Sequence, residues 1–145
     1  MAIQHERGQK ILRWVLLGSL LTTGLHYAHN TIRAQDYPPV EGLILLATRI
    51  LVGGGWFVFA TFAVLAFLAY GRRRYWAANA YLLVFSLSGL ASLGHFFFGV
   101  PDIPAFWFAT IFTDVLSSLA VWAFVTWVAI GIRTEQAARA EALSA

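Results

Sequence analysis

The chain contains no cysteine. Disulfides, thiolate metal sites, iron–sulfur clusters and covalent c-type haem attachment are therefore excluded. Its single methionine is Met1, so a metal or a haem would have to be held by His or carboxylate side chains. Charge is scarce: only 12% of the 145 residues are Asp, Glu, Lys or Arg, about half of the roughly 25% usual for a soluble domain. That scarcity argues against a soluble enzyme, a nucleic-acid reader and a disordered tail. The four prolines, Pro38, Pro39, Pro101 and Pro104, fall at breaks between apolar stretches.

What is abundant points to lipid. Hydrophobic residues make up 59% and aromatic residues 16% of the chain, and mean hydropathy is +0.69. Four apolar stretches are drawn at about 11–31, 42–70, 76–98 and 104–132, followed by an Ala- and Glu-rich tail at 133–145. Each has the roughly 20 residues that a helix needs to cross the hydrocarbon core. Strand alternation is absent, which leaves helices as the spanning form. The predicted fold is an all-α integral membrane protein of one domain. Short connections make it an up-down-up-down bundle of four transmembrane helices. The first stretch has the length of a signal-peptide core, but Gly24-Leu25-His26-Tyr27-Ala28-His29-Asn30 does not resemble a cleavage site, so a retained helix is expected.

Basic residues set the expected orientation. Arg7, Lys10, Arg13, Arg72, Arg73, Arg74, Arg133 and Arg139 fall on one side of the stretches, and Arg33 stands alone on the other with Asp36, Glu41 and Asp102. The positive-inside rule places both termini in the cytoplasm, with a bacterial inner membrane as the expected location. The bilayer is the first expected partner, a larger membrane complex or a second copy of the chain another; nucleic acid is not expected. The net charge of +3 is read as topology signal and headgroup contact.

Ionisable groups at membrane depth are costly, so each needs a partner or a role. The candidates are His26 and His29 in the first stretch, Arg49 in the second, His95 in the third and Asp114 in the fourth. All five lie in the outer half of the predicted bundle or at its lower margin. His26 and His29 are three apart and so share a helix face, with Asn30 beside them. Together with His95 they form a candidate metal site, suited to Cu or Zn. Asn30, Arg49 and Asp114 are candidate ligand contacts. Arg49 and Asp114 would alternatively neutralise each other as a clasp between helices. His95, flanked by Gly94 and Phe96, could equally serve one haem b with His26 or His29 as the second axial ligand. The small residues Gly53, Gly54 and Gly55, and Ser86 to Gly94, allow close helix packing or room for a flat ligand.

The layout of four helices with His and carboxylate groups inside resembles small sterol-isomerase-like and sigma-receptor-like membrane proteins. It also resembles four-helix b-type cytochromes. The resemblance is one of architecture, and no residue roles are carried over from it. The expected function is binding of a metal ion or small ligand in an outward-facing pocket. The alternatives are electron transfer through one haem b, a lipid isomerase-like enzyme using Asp114 and a His as acid and base, and a purely structural subunit.

Overall fold

The computed structural model describes residues 5–144, and they contain helices and no strand. Helix α1 spans His5–Ile32, α2 Leu45–Gly71, α3 Tyr75–Leu90, α4 His95–Phe98 and α5 Ala105–Ser144. A 3₁₀ turn, Ala91–Gly94, joins α3 to α4 without a break in the helical path. Three helical stretches are long and apolar enough to cross a membrane: Leu45–Gly71, Tyr75–Phe98 and Ala105–Ser144. The chain is accordingly read as a helical membrane protein. α1 is 28 residues long but falls outside that group. Arg7, Lys10, Arg13 and then Thr22, Thr23, His26, His29 and Asn30 interrupt its apolar run. α5 runs as one rod through the tail to Ser144.

Local chemistry explains the ends of these helices. After α1, Arg33 Nε donates to Asp36 Oδ2 at 2.8 Å and closes a 3₁₀ turn, Ala34–Asp36. Tyr37 is extended at φ −103°, ψ 151°, as the residue before a proline prefers. α2 starts only at Leu45, because Ile44 is extended. α2 ends in a Schellman arrangement: Arg74 N donates to Ala69 O and Arg73 N to Tyr70 O, both at 2.9 Å. The left-handed position it requires is filled by Arg73 at φ 58°, where glycine is the usual occupant.

Each long helix touches two neighbours: α1 and α3 both pack against α2 and α5, and barely against each other. The two ends of this ring differ in chemistry. At the end holding the termini the core is apolar, built from Leu12, Leu16, Ala66, Tyr70, Leu82, Phe85 and Val128. Toward the other end the buried positions become polar: Ser19, Thr23, His26, Asn30, Ser92, Thr110 and Asp114. Two tryptophans also bridge helices. Trp56 Nε1 donates to Thr23 Oγ1 at 3.1 Å, and Trp122 Nε1 donates to Ser86 Oγ at 2.9 Å.

One glycine sets the approach of α3 to α5. A Cβ on Gly89 would run into the Asp114 carbonyl oxygen and Ser118 Oγ. Ser118 Oγ in turn donates to Ser86 O at 2.8 Å. Gly89→Ala is therefore expected to lower the unfolding temperature in mild detergent, at a cost of about 1–3 kcal/mol from overpacking. Gly54→Ala, where an added Cβ meets nothing within 4 Å, is expected not to lower it.

Candidate functional site

The polar end of the ring converges on one carboxyl. Asp114 on α5 is fully buried, and His26 on α1 is exposed by only 1%. Ser92, in the 3₁₀ turn, donates to Asp114 Oδ2 at 2.9 Å. His26 Nδ1 lies 3.6 Å from the same oxygen and 3.2 Å from Thr110 Oγ1. Thr110 sits one helical turn before Asp114, so both face α1. On its far side, His26 Nε2 meets His95 Nε2 at 3.3 Å. The Asn30 amide nitrogen is 3.1 Å from that same His95 atom.

Hydrogen bookkeeping orders these contacts. The Thr110 hydroxyl donates its proton to Trp107 O, so toward His26 it accepts from Nδ1–H. In a neutral His26 ring Nε2 is then an acceptor, and His95 Nε2–H serves it only when the Asn30 amide N–H, which faces the same His95 atom, does not donate there. From a His95 protonated on both nitrogens, shifting the Nε2 proton to His26 leaves His95 neutral at Nδ1 with a bare Nε2 that can accept from Asn30, and makes His26 a donor on both sides, with the Asp114 carboxyl behind it. The result is a carboxyl–imidazole–imidazole line from a closed interior to His95, with the two imidazoles in hydrogen-bond contact and the carboxyl in ion-pair range of His26. Asp114 Oδ1 has no hydrogen-bond partner, so the carboxyl keeps unused acceptor capacity.

The 3₁₀ turn positions His95 and Ser92 together. Tyr27 donates its hydroxyl to Ser88 O at 2.9 Å. That carbonyl is the one a regular α-helix would offer to Ser92 N–H, and the helix tightens immediately after it. Short 3₁₀ stretches within a helix often mark functional positions.

Two expected members lie elsewhere. His29 does not join His26, because three residues along a helix turn its side chain by about 60°. Its Nδ1 instead accepts from the Tyr37 hydroxyl at 2.9 Å, and its ring stacks on Trp107 at 4.3 Å. Burial, with the Asp36 carboxylate next in weight, pushes the Tyr37 phenol up to about 12, so Tyr37 keeps the proton it gives to His29. Arg49 does not clasp Asp114. Its Nη2 donates to Ile32 O at 3.3 Å and to Gln35 Oε1 at 3.1 Å, tying the start of α2 to the end of α1.

These positions bear directly on the expected cofactors. Among the described residues no three His, Asp or Glu side chains are placed to hold a metal ion. The His26, His29 and His95 set for Cu or Zn is not gathered in this structure, since His29 is turned to Tyr37 and Trp107. His26 and His95 are not spaced as the two axial ligands of one haem b either. Two axial nitrogens on one iron stand about 4 Å apart, given metal–nitrogen bonds of roughly 2 Å, with a flat ring between them. His26 and His95 meet directly, with ring centroids 5.4 Å apart and planes inclined by 26°.

Ser92, Thr110, Tyr27 and Tyr37 were not among the sequence candidates. Spacing carried a signal for two of them: Ser92 is three before His95, and Thr110 is four before Asp114, so each shares a helix face with a candidate. Two cavities meet beside the chain, of about 340 and 260 Å³. Both are lined by Asn30, Val52, Ala91 and His95. The larger reaches the rim at Gln35, Tyr37 and Pro38; the smaller runs along α2 past Leu51 and Gly55.

Replacing the two α1 histidines separates their roles. His26→Ala opens a cavity and strips Asp114 of a neighbour, with an expected loss of about 2–4 kcal/mol. His29→Ala, at a partly exposed position, is expected to cost under about 1 kcal/mol. Thermal unfolding of both variants in one detergent checks the contrast. No protein-family model, curated protein or solved structure matches this chain.

Proposed function

We propose that the protein binds a small molecule beside His95 and exchanges a proton with it through the His95–His26–Asp114 chain. The single observation that carries this reading is the 3.3 Å contact between the two imidazoles, backed by a fully buried carboxyl. Buried ionisable groups cost stability unless they are satisfied. Here they are only partly satisfied, and the line of them ends at a cavity. His95 is the group that reaches the ligand, as general acid or base. His26 and Asp114 sit behind it, where they hold its tautomer and accept or supply the proton. The chemistry is that of proton transfer to or from a hydroxyl or carbonyl group, the acid–base alternative among the functions considered from sequence. Asn30 lies beside His95 as a ligand contact, whereas Arg49 serves to join α1 and α2.

The accompanying topology is four membrane-crossing helices, up-down-up-down, with both termini cytoplasmic and the His95 cavity on the opposite side of a bacterial inner membrane. Its support is the placement of the basic residues at one end of the ring. The pairing of α1 with α2 and α5 along its length supports it further, because α1 shields its polar face inside.

Two measurements test the proposal. Organic extracts of the purified protein, compared by mass spectrometry, are expected to hold a small molecule in wild type. It should be depleted about tenfold in His95→Ala, as expected from losing a charge-assisted or strong hydrogen bond. Equal content in both proteins, or an empty wild type, overturns the binding reading. For topology, the absence of native cysteine makes single-cysteine labelling clean. Asp102→Cys is expected to react with a membrane-impermeant maleimide on intact cells, and Arg73→Cys only after permeabilisation.

A further inference from the structure

The outer half of α2 stands apart from the core. All of its buried residues, Ala63, Ala66, Ala69 and Tyr70, lie in the half nearer the termini. From Leu45 to Phe62 none is buried, and Leu51 is 59% exposed. On the opposing side, Ala91 in the 3₁₀ turn is also exposed. Between them lies the 260 Å³ cavity, with His26 and His95 at its back. Its mouth is thus on the flank of the molecule, between two helical stretches that are apolar enough to sit in lipid. Gly55 lines this cavity, and a Cβ built there meets no atom within 4 Å. The side chain that would fill the cleft is missing. Gly53, by contrast, packs tightly on Thr31, so close packing accounts for one member of the glycine run and not for Gly55.

The polar groups at the back of the cleft are an amide and two imidazoles. Among the described residues, no Lys or Arg lines this cleft: Arg49 bonds Ile32 O and Gln35 with its Nε unpartnered, and Arg33 pairs with Asp36. A phosphate or carboxylate head would find no Lys or Arg in the lining of the cleft. A hydroxyl or carbonyl would find both a donor and an acceptor.

We infer that the flank between α2 and the Ala91–Gly94 turn is a lateral entrance from the bilayer for a neutral single-chain amphiphile. Its hydroxyl or carbonyl head rests at His95 and Asn30, and its hydrocarbon chain lies in the cleft that Gly55 leaves open. This rests on the proton-exchange reading for the head group, and on the cleft alone for the chain. Apolar walls with a few convergent polar groups are the usual form of such sites.

The test uses the full chain in phosphatidylcholine nanodiscs and a hexadecanol probe carrying a mid-chain diazirine. Crosslinks to the 51–59 segment are expected, and excess unlabelled hexadecanol should reduce them about fivefold or more. The matching hydrocarbon without a hydroxyl, and the matching fatty acid, should show no such competition. Gly55→Trp and the milder Gly55→Leu are both expected to cut the competed labelling about fivefold without lowering the unfolding temperature. Gly54→Trp, on the open face, should retain it. Undiminished competed labelling in both Gly55 variants overturns the entrance and leaves the proton-exchange reading standing, since a water-borne ligand reaches His95 from the rim. Labelling no better for the alcohol than for the hydrocarbon also overturns it. Loss in the Gly55 variants with unchanged labelling in His95→Ala supports the entrance and counts against the proton-exchange reading.

Discussion

A carboxyl group without solvent contact must be given partners by the chain around it, and Asp114 organises its end of the molecule in this way. Ser92 reaches it from the 3₁₀ turn, His26 from α1, and Thr110 shares its helix face. Three segments are fixed relative to one another by this need. The close approach of α3 at Gly89 brings Ser92 into range. Removing any one contact leaves polar atoms stranded in an apolar surround, where the loss is felt in full. Among the described residues, the opposite end of the ring is held by aromatic and aliphatic packing around Tyr70 and Phe124.

This division gives the two ends different tasks. The packed end, with Leu12, Leu82 and Val128 all fully buried, anchors the helices. The polar end trades packing for hydrogen bonds and tolerates open space: two cavities meet at His95, and α2 leaves the core there. Stability and chemistry are thus separated along the helix axes, and a cleft beside α2 can exist without loosening the ring as a whole.

Much of this was legible in the residues. Polar groups inside long apolar stretches must find one another, so the convergence of His26, His95, Asn30 and Asp114 follows from their cost in lipid. The same reasoning failed for His29 and Arg49, because it cannot tell which of two neighbouring helix positions points inward. His29 is about 60° around α1 from His26, enough to reach Trp107 and Tyr37. Arg49 lies close enough to its helix start for its long side chain to reach back to Ile32 and Gln35 at the end of α1. The Ala91–Gly94 tightening was not legible at all, since its neighbouring contact comes from Tyr27 on another helix. The helix ends followed proline and glycine only in part: the turn after α2 puts Arg73 in the left-handed position, where sequence rules look for glycine.

The continuity of α5 has a mechanical consequence. Its 40 residues form a rod about 60 Å long, with Thr110 and Asp114 near one tip and the charged segment around Arg139 near the other. A stiff rod pivoting on the packed region between them acts as a lever. A tilt of about two degrees about a central pivot displaces each tip by roughly 1 Å, and the two tips move in opposite senses. Any rearrangement that shifts the carboxyl sideways therefore swings the distal segment, with no intervening loop to absorb the movement.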